Sequence, residues 1–101
     1  MLKILLICTA GMSTSFLVEK MKKEAETRNL EVQITAIPEA SSDEFVGKVD
    51  VVLLGPQIKY LENDIKDKFG ETPVGVINMM DYGMMKGDKV LDYALSMIEK
   101  N

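Results

Sequence analysis

The sequence predicts an α/β fold with one four-stranded parallel sheet, in the order 2-1-3-4, and helices on both faces. Short apolar or alternating segments, each followed along the chain by a segment with helical features, fall at residues 2–7, 31–37, 49–54 and 73–77. Strands that alternate with helices form parallel sheets with right-handed crossovers. A chain of 101 residues can bury one modest core, so we expect a single domain over residues 1–101.

The first strand and the first helix flank a small, hydroxyl-rich segment. Residues 2–7 are almost all apolar, as in a parallel strand that is buried on both faces, and the run ends at Cys8. Residues 9–15 predict a loop, and Ser13 or Thr14 is expected to cap the following helix. That helix should end near residues 28–29. Its apolar face is formed by Leu17, Met21 and Ala25, at four-residue spacing.

The second strand is predicted at residues 31–37, where apolar and polar residues alternate. This alternation is typical of a half-exposed strand at a sheet edge, and Pro38 should end it. A short helix is expected at residues 41–47, capped by Ser41 or Ser42. Its predicted inward-facing residues are Phe45 and Val46.

The third strand, at residues 49–54, is nearly all apolar and is therefore expected to be central. Gly55 and Pro56 end it. A helix should follow and end at Gly70, since glycine is the usual residue just after a helix. Its apolar face is marked by Ile58, Leu61, Ile65 and Phe69.

The fourth strand is expected at residues 73–77, followed by an irregular segment at 78–85. The last helix is predicted at residues 86–100, where Asp88 in the first turn suits the positive end of the helix dipole. Its apolar face contains Val90, Leu91, Ala94, Leu95 and Ile98.

The strand order also predicts where a ligand would bind. In open α/β sheets, ligands lie outside the carboxyl ends of the strands where the strand order reverses, here between the first and third strands. Cys8 and Gly55 stand at those two ends. The unpaired amides and the dipole of the following helix stabilise an anion and favour the thiolate of Cys8. Gly11 lets the backbone curl around a phosphate-sized group.

A nucleophilic sulfur beside a phosphate cradle suggests a cysteinyl phosphate intermediate. This interpretation requires a thiol that solvent can reach and main-chain donors that point toward it. The alternative is a buried cysteine that acts as a small apolar residue, which is the more usual role of a lone cysteine.

Composition excludes several other functions. The net charge of −4 makes the chain a poor binder of nucleic acid or anionic membrane. The absence of histidine removes imidazole bases and Ser-His triads, and a lone cysteine excludes internal disulfides and multi-cysteine zinc sites. The apolar run at residues 2–10 is too short to span a bilayer, so we expect a cytoplasmic protein without membrane insertion.

Residues 8–15, Cys-Thr-Ala-Gly-Met-Ser-Thr-Ser, resemble the phosphorylation loop of the enzyme IIB components of the bacterial sugar phosphotransferase system, lactose/cellobiose (chitobiose) type. The resemblance continues in residues 53–57, Leu-Leu-Gly-Pro-Gln, in residues 80–83, Met-Asp-Tyr-Gly, and in residues 87–91. It covers essentially the whole chain.

The resemblance implies a phosphoryl carrier. Cys8 would accept the group from a phosphohistidine of enzyme IIA and pass it to a cellobiose-, chitobiose- or lactose-like sugar held by the membrane permease, enzyme IIC. The phosphate cradle would be formed by the backbone of Thr9, Ala10, Gly11, Met12, Ser13 and Thr14. No metal and no organic cofactor are implied.

Other residues of the predicted carboxyl edge have less specific roles. Gln57, Asp81 and Tyr82 are candidate neighbours of the loop, with helix capping or packing as the alternative. A cluster of flexible methionines suits a surface that docks two partners in turn, or else fills the core. These methionines are Met12, Met79, Met80, Met84 and Met85.

Two other functions fit a flavodoxin-like or phosphatase-loop-like fold. A low-molecular-weight phosphatase would need a Cys-x5-Arg loop, but Thr14 stands where that arginine would be. A flavodoxin-like binding module would hold a flavin phosphate, but three tyrosines, three phenylalanines and no tryptophan leave little to enclose the flavin ring. A response regulator would need an aspartate where Leu54 and Gly55 stand, and a thioredoxin would need a second cysteine.

Overall fold

A computed structural model of the protein contains one sheet of four parallel strands. The structure describes residues 1–8 and 12–99, apart from the side chains of Met12, Ser13 and Glu99. The strands are β1 (Leu2–Cys8), β2 (Val32–Pro38), β3 (Val51–Leu54) and β4 (Val74–Val76). Their order across the sheet is β2-β1-β3-β4, and each neighbouring pair is parallel. The predicted fold class, the edge position of β2 and the central position of β3 are confirmed.

Helices cover both faces of the sheet, as predicted. The α-helices are α1 (Met12–Thr27), α2 (Glu62–Phe69), α3 (Met79–Gly83) and α4 (Gly87–Glu99), and 3-10 helices span Glu39–Phe45 and Pro56–Leu61. Ile4 and Leu6 of β1 pack under α1 and α4, whereas Leu5 and Ile7 pack under the opposite layer with Phe69 of α2. Because successive side chains of a strand point to opposite faces, a strand between two layers must be apolar throughout.

The start of α1 differs from the prediction. Ser13 and Thr14 lie inside the helix, which begins at Met12, so neither residue is the predicted cap. The Thr14 side chain is fully buried, and its hydroxyl forms a hydrogen bond with the hydroxyl of Tyr82. A tertiary partner therefore replaces the local capping role that the sequence suggested.

The segment after β2 also begins earlier than predicted. Its 3-10 helix starts at Glu39, directly after Pro38, and no side chain caps it, so the capping roles predicted for Ser41 and Ser42 are wrong. Ser42 is instead buried and accepts a hydrogen bond from Lys68. Phe45 is partly buried against the core, but Val46 is 40% exposed, contrary to the prediction.

The segments after β3 and β4 contain helical turns that the apolar pattern did not resolve. The predicted helix over residues 58–69 is instead the 3-10 helix Pro56–Leu61, whose backbone is non-helical at Ile58, followed by α2. The segment at 78–85, predicted to be irregular, contains α3. Asn78 caps α3 by accepting hydrogen bonds from the amides of Met80 and Asp81, at 2.8 and 3.2 Å. Asn78, two residues after the end of β4, is the local signal for this helix.

Lys68 connects α2 to the 3-10 helix Glu39–Phe45. Its Nζ lies 2.8 Å from Asp43 Oδ1, 3.5 Å from Glu39 Oε2 and 2.9 Å from Ser42 Oγ. Hydrogen bonding to Asp43 raises the pKa of Lys68 above its ordinary value of 10.5. A raised lysine pKa means that the stabilisation is complete below pH 10.5 and is lost as the pH rises through the folded-state pKa.

We expect Lys68→Met to lower the free energy of unfolding at neutral pH by about 1 kcal/mol, because the buried Ser42 hydroxyl loses this donor. Lys66→Met is the matched control, since Lys66 forms an exposed ion pair with Glu62 and should contribute no more than about 0.5 kcal/mol. Urea denaturation measures both variants. Equal losses for the two would show that Lys68 adds nothing beyond a surface charge.

Candidate functional site

Cys8 and Gly55 lie side by side at the carboxyl edge of the sheet. Cys8 is the last residue of β1 and is opposite Pro38 of β2. The amide of Gly55, directly after β3, donates a hydrogen bond to the carbonyl of Ile7 at 2.9 Å. The strand ends that the sequence predicts to meet do meet, at the point where the strand order reverses.

The predicted phosphate loop lies mainly outside the described residues. These do not include Thr9, Ala10 and Gly11, nor the side chains of Met12 and Ser13. Of the predicted loop, the structure describes the backbone from Met12 onward and the side chain of Thr14. The phosphate-binding role of this loop stays a prediction.

The Cys8 side chain is covered in this conformation. The residue is 5% exposed, and its Sγ lies 3.9 Å from the carbonyl oxygen of Ile37, to which the thiol donates a weak hydrogen bond. The phosphocysteine interpretation requires a thiol that solvent can reach, and that requirement is not met here.

Gly55 brings three candidate groups together. A Cβ placed on Gly55 would lie 2.9 Å from Oε1 of Gln57, 3.7 Å from Cε2 of Tyr82 and 3.8 Å from Cβ of Cys8. The absence of a side chain at this position therefore leaves room for the Gln57 amide next to the Tyr82 ring and Cys8. The structure brings Gln57 and Tyr82 close to Cys8, whereas contact of either residue with a phosphoryl group stays a prediction.

Tyr82 and Thr14 form a buried pair of hydroxyl groups. The two oxygens are 3.0 Å apart, and the residues are 8% and 0% exposed. Because Thr14 lies in the first turn of α1 and Tyr82 in α3, the pair joins the segments that follow β1 and β4. Sequence reasoning named both residues, but nothing in the sequence indicates that they are partners.

Asp81 has the contacts of a structural residue. Its amide donates to the capping Asn78 side chain, and its carbonyl accepts a hydrogen bond from the amide of Lys86 at 2.9 Å. It also lines a cavity of about 280 Å³ together with Asn78 and Tyr93. These hydrogen bonds are made by the Asp81 backbone, and the capping side chain is that of Asn78, so the role of the Asp81 side chain stays a prediction.

Large apolar side chains are exposed on the segments that follow β1, β3 and β4. We call this set the apolar rim. Each member is between 60% and 75% exposed, and the members are Phe16, Tyr60, Met79, Met80 and Met84. Three of the five predicted methionines belong to it. Met85 is half-buried, and the Met12 side chain lies outside the described residues. Phe16 and Tyr60 were missed because isolated aromatic residues also occur in cores.

Two further properties concern only the part of the chain that the structure describes. Within it, no cluster of three or more His, Cys, Asp or Glu side chains is arranged to hold a metal ion. None of its helices combines the length and the apolar character needed to cross a membrane.

The chain is similar to a known protein family over most of its length. The family described as "PTS system, Lactose/Cellobiose specific IIB subunit" matches residues 3–93. The oligo-beta-mannoside-specific EIIB component of the PTS system of Bacillus subtilis (strain 168) is 42% identical over an alignment of 100 residues, with 97% of each chain covered. The galactose-specific EIIB component of Lactococcus lactis subsp. cremoris (strain MG1363) is 44% identical over an alignment of 95 residues, with 87% of this chain and 88% of the relative covered.

Solved structures agree with this similarity. The solution structure of a cellobiose-specific phosphotransferase IIB component from Borrelia burgdorferi has a TM-score of 0.82 at 40% identity, covering 98% of this chain and 93% of that one. The lactose-specific IIB domain from Streptococcus pneumoniae has a TM-score of 0.83 at 19% identity, covering 95% and 96%. The second similarity concerns the fold alone.

Proposed function

Because this chain belongs to the lactose/cellobiose-specific IIB family of the phosphotransferase system, we propose that it is a phosphoryl carrier whose acceptor atom is Sγ of Cys8. The donor is a phosphohistidine of enzyme IIA, and the recipient is a sugar held by the membrane permease, enzyme IIC. We place this relay in the cytoplasm. The observation that carries the proposal is the position of the one cysteine, at the carboxyl end of β1 beside Gly55.

The transfer is a pair of in-line displacements at phosphorus. In the first, the Cys8 sulfur forms an S–P bond while the P–N bond of the phosphohistidine breaks. The thiol proton is balanced by protonation of the released imidazole. In the second, the oxygen of a sugar hydroxyl forms the new O–P bond while the S–P bond breaks, and the leaving thiolate is balanced by the proton that the hydroxyl loses. Main-chain N–H groups at the start of α1 would stabilise the equatorial oxygens in both steps.

The position of the one arginine favours a carrier over a phosphatase. The chain has a single arginine, Arg28, and its guanidinium lies 2.7 Å from Glu24 and 2.6 Å from Asp92. Thr14, at the position of the arginine in a Cys-x5-Arg loop, is buried against Tyr82. Without a bidentate guanidinium to stabilise water attack, a phosphocysteine should persist until a partner completes the site.

The apolar rim supports docking of two partners in turn. Its five side chains lie on segments that begin at the carboxyl ends of three strands, the same edge that holds Cys8. Flexible thioethers adapt to differently shaped surfaces at little conformational penalty. We assign this surface to enzyme IIA and then to enzyme IIC, through a small, transient interface.

Because the Cys8 thiol is buried, its side chain must reorient when enzyme IIA or enzyme IIC binds. Cys8 Sγ must give up the weak contact with the Ile37 carbonyl and turn toward the partner. A sulfur–carbonyl interaction at this distance is weak, so its loss adds little to the barrier.

Reconstitution tests the proposal. The purified protein is mixed with phosphoenolpyruvate, the general phosphotransfer proteins and an enzyme IIA of the lactose/cellobiose class, and its intact mass is followed. We expect the mass to increase by one phosphoryl group only when enzyme IIA is present. Membranes that contain enzyme IIC and its sugar should then return the mass to its starting value. No mass gain with any enzyme IIA of this class would contradict the proposal, and turnover of an aryl phosphate would favour a phosphatase.

A further inference from the structure

The hydrogen bond between Thr14 and Tyr82 connects two segments that are distant in sequence. Thr14 lies in the first turn of α1, and Tyr82 lies in α3, 68 residues further along the chain. Both residues are buried, and the two hydroxyl oxygens are 3.0 Å apart. A hydrogen bond between hydroxyl groups that is sheltered from water is stronger, and more costly to break, than one at the surface.

The pair is adjacent to the proposed acceptor. The Tyr82 ring and the Cβ of Cys8 both lie within 4 Å of the point that a Gly55 Cβ would occupy. Tyr82 and Cys8 are therefore both neighbours of Gly55, and the Tyr82 hydroxyl contacts the first turn of α1. Cys8 is held at one end of this loop by its place in β1, and Thr14 holds the other end against α3.

We propose that the Thr14–Tyr82 hydroxyl pair is a positioning element for phosphoryl transfer. It fixes the first turn of α1 relative to Cys8, and so fixes the main-chain donors of that turn relative to the phosphoryl group. Both are positioning residues, since they act through the backbone. This inference rests on the function proposed above, and it gives the Thr14 side chain a role in addition to the predicted place of its backbone in the phosphate cradle.

Conservative substitutions separate the effect of the Thr14–Tyr82 hydrogen bond from the effect of side-chain packing. Tyr82→Phe keeps the ring beside Gly55, and Thr14→Val keeps the shape of the buried side chain, but each removes one hydroxyl. Thr14→Ser keeps the hydroxyl and removes a methyl group. Tyr93→Phe is the matched control, because it removes a tyrosine hydroxyl that lies against Gly75 in β4, on the α4 side of the sheet.

The test measures phosphorylation from phosphorylated enzyme IIA in single turnovers at increasing donor concentration. We expect Tyr82→Phe and Thr14→Val each to lower the maximal rate about tenfold while the half-saturating concentration stays the same, since misplaced donors affect the transition state more than docking. The double variant should lose no more than either single one. Thr14→Ser should restore most of the rate, and Tyr93→Phe should match the wild type.

Several outcomes would overturn the inference. These are a wild-type maximal rate for Tyr82→Phe and Thr14→Val, a change confined to the half-saturating concentration, or equally slow transfer by Thr14→Ser and Thr14→Val. Circular dichroism checks folding, and if Tyr82→Phe fails to fold, the two Thr14 variants decide the question. If the wild-type protein accepts no phosphoryl group, the proposed function fails, whereas a phosphorylated wild type with equally fast variants refutes only the positioning role.

Discussion

Cys8→Ser is expected to abolish phosphoryl transfer to the chain, with a rate at least about 10³-fold below that of the wild type. Since the sequence has one cysteine and no histidine, no other side chain of comparable nucleophilicity can replace the sulfur. A serine hydroxyl is not ionised at neutral pH, and a phosphoserine ester would not pass its phosphoryl group to a sugar. Incorporation of radioactive phosphate from phosphoenolpyruvate measures the first step, and sugar uptake by cells measures both.

Thermal unfolding is the control for this variant. Cys8 is buried, so a serine there places a hydroxyl in a weakly polar environment and should reduce stability by about 1 kcal/mol without preventing folding. Cys8→Ala, which adds no polar group, should lose transfer equally. A folded serine or alanine variant that still supports sugar uptake would exclude Cys8 as the carrier atom.

Gly87→Ala is expected to produce the largest loss of stability among single-methyl additions at the described glycines. A Cβ on Gly87 would lie 2.7 Å from the carbonyl carbon and the Cβ of Lys20 and from the amide nitrogen of Met21. Two of these atoms are α1 backbone, which cannot rotate away as a side chain can. Helices α1 and α4 would have to move apart, and both pack on the same face of the sheet.

The free energy of unfolding should fall by about 2 kcal/mol. Overpacking of this kind costs about 1–3 kcal/mol, and the rigid partner places Gly87 at the upper end. The better helix propensity of alanine offsets up to about 1 kcal/mol of this loss. For a chain of this size, the melting temperature should fall by roughly 8 °C or more.

Gly83→Ala is the matched control for Gly87→Ala. It adds the same methyl group at the end of α3, where a Cβ would meet nothing within 4 Å. Scanning calorimetry of the two variants and the wild type makes the comparison. We expect the Gly83 variant to unfold near the wild-type temperature, and equal melting temperatures for the two variants would show that α1 and α4 are not in close contact at Gly87.

The sheet was predictable because a strand that is buried on both faces is apolar at every position of the sequence. In β1, Ile4 and Leu6 face one layer of helices and Leu5 and Ile7 face the other, so the strand is apolar throughout. Strand order and helix placement follow from parallel pairing and right-handed crossovers. The meeting of Cys8 and Gly55 follows in turn, because both stand at strand ends.

Contacts between distant polar side chains were not predictable in the same way. Thr14 and Ser42 are both hydroxyl residues near helix starts, and local rules assign such residues to caps. Their actual partners are Tyr82 and Lys68, which packing brings close from far along the chain. The packing role of Gly87 was equally hidden, because a glycine in the first turn of a helix gives no sign in the sequence of a close contact with another helix.

Phosphorus NMR of the protein after phosphorylation by enzyme IIA tests most directly whether the phosphoryl group is carried on sulfur. A phosphorus resonance in the range of S-phosphorothiolates that disappears on treatment with iodine, and that is absent from Cys8→Ser, is the result we expect. A resonance typical of a serine or threonine phosphate ester, or one that persists in Cys8→Ser, would contradict the assignment of Cys8 as the carrier.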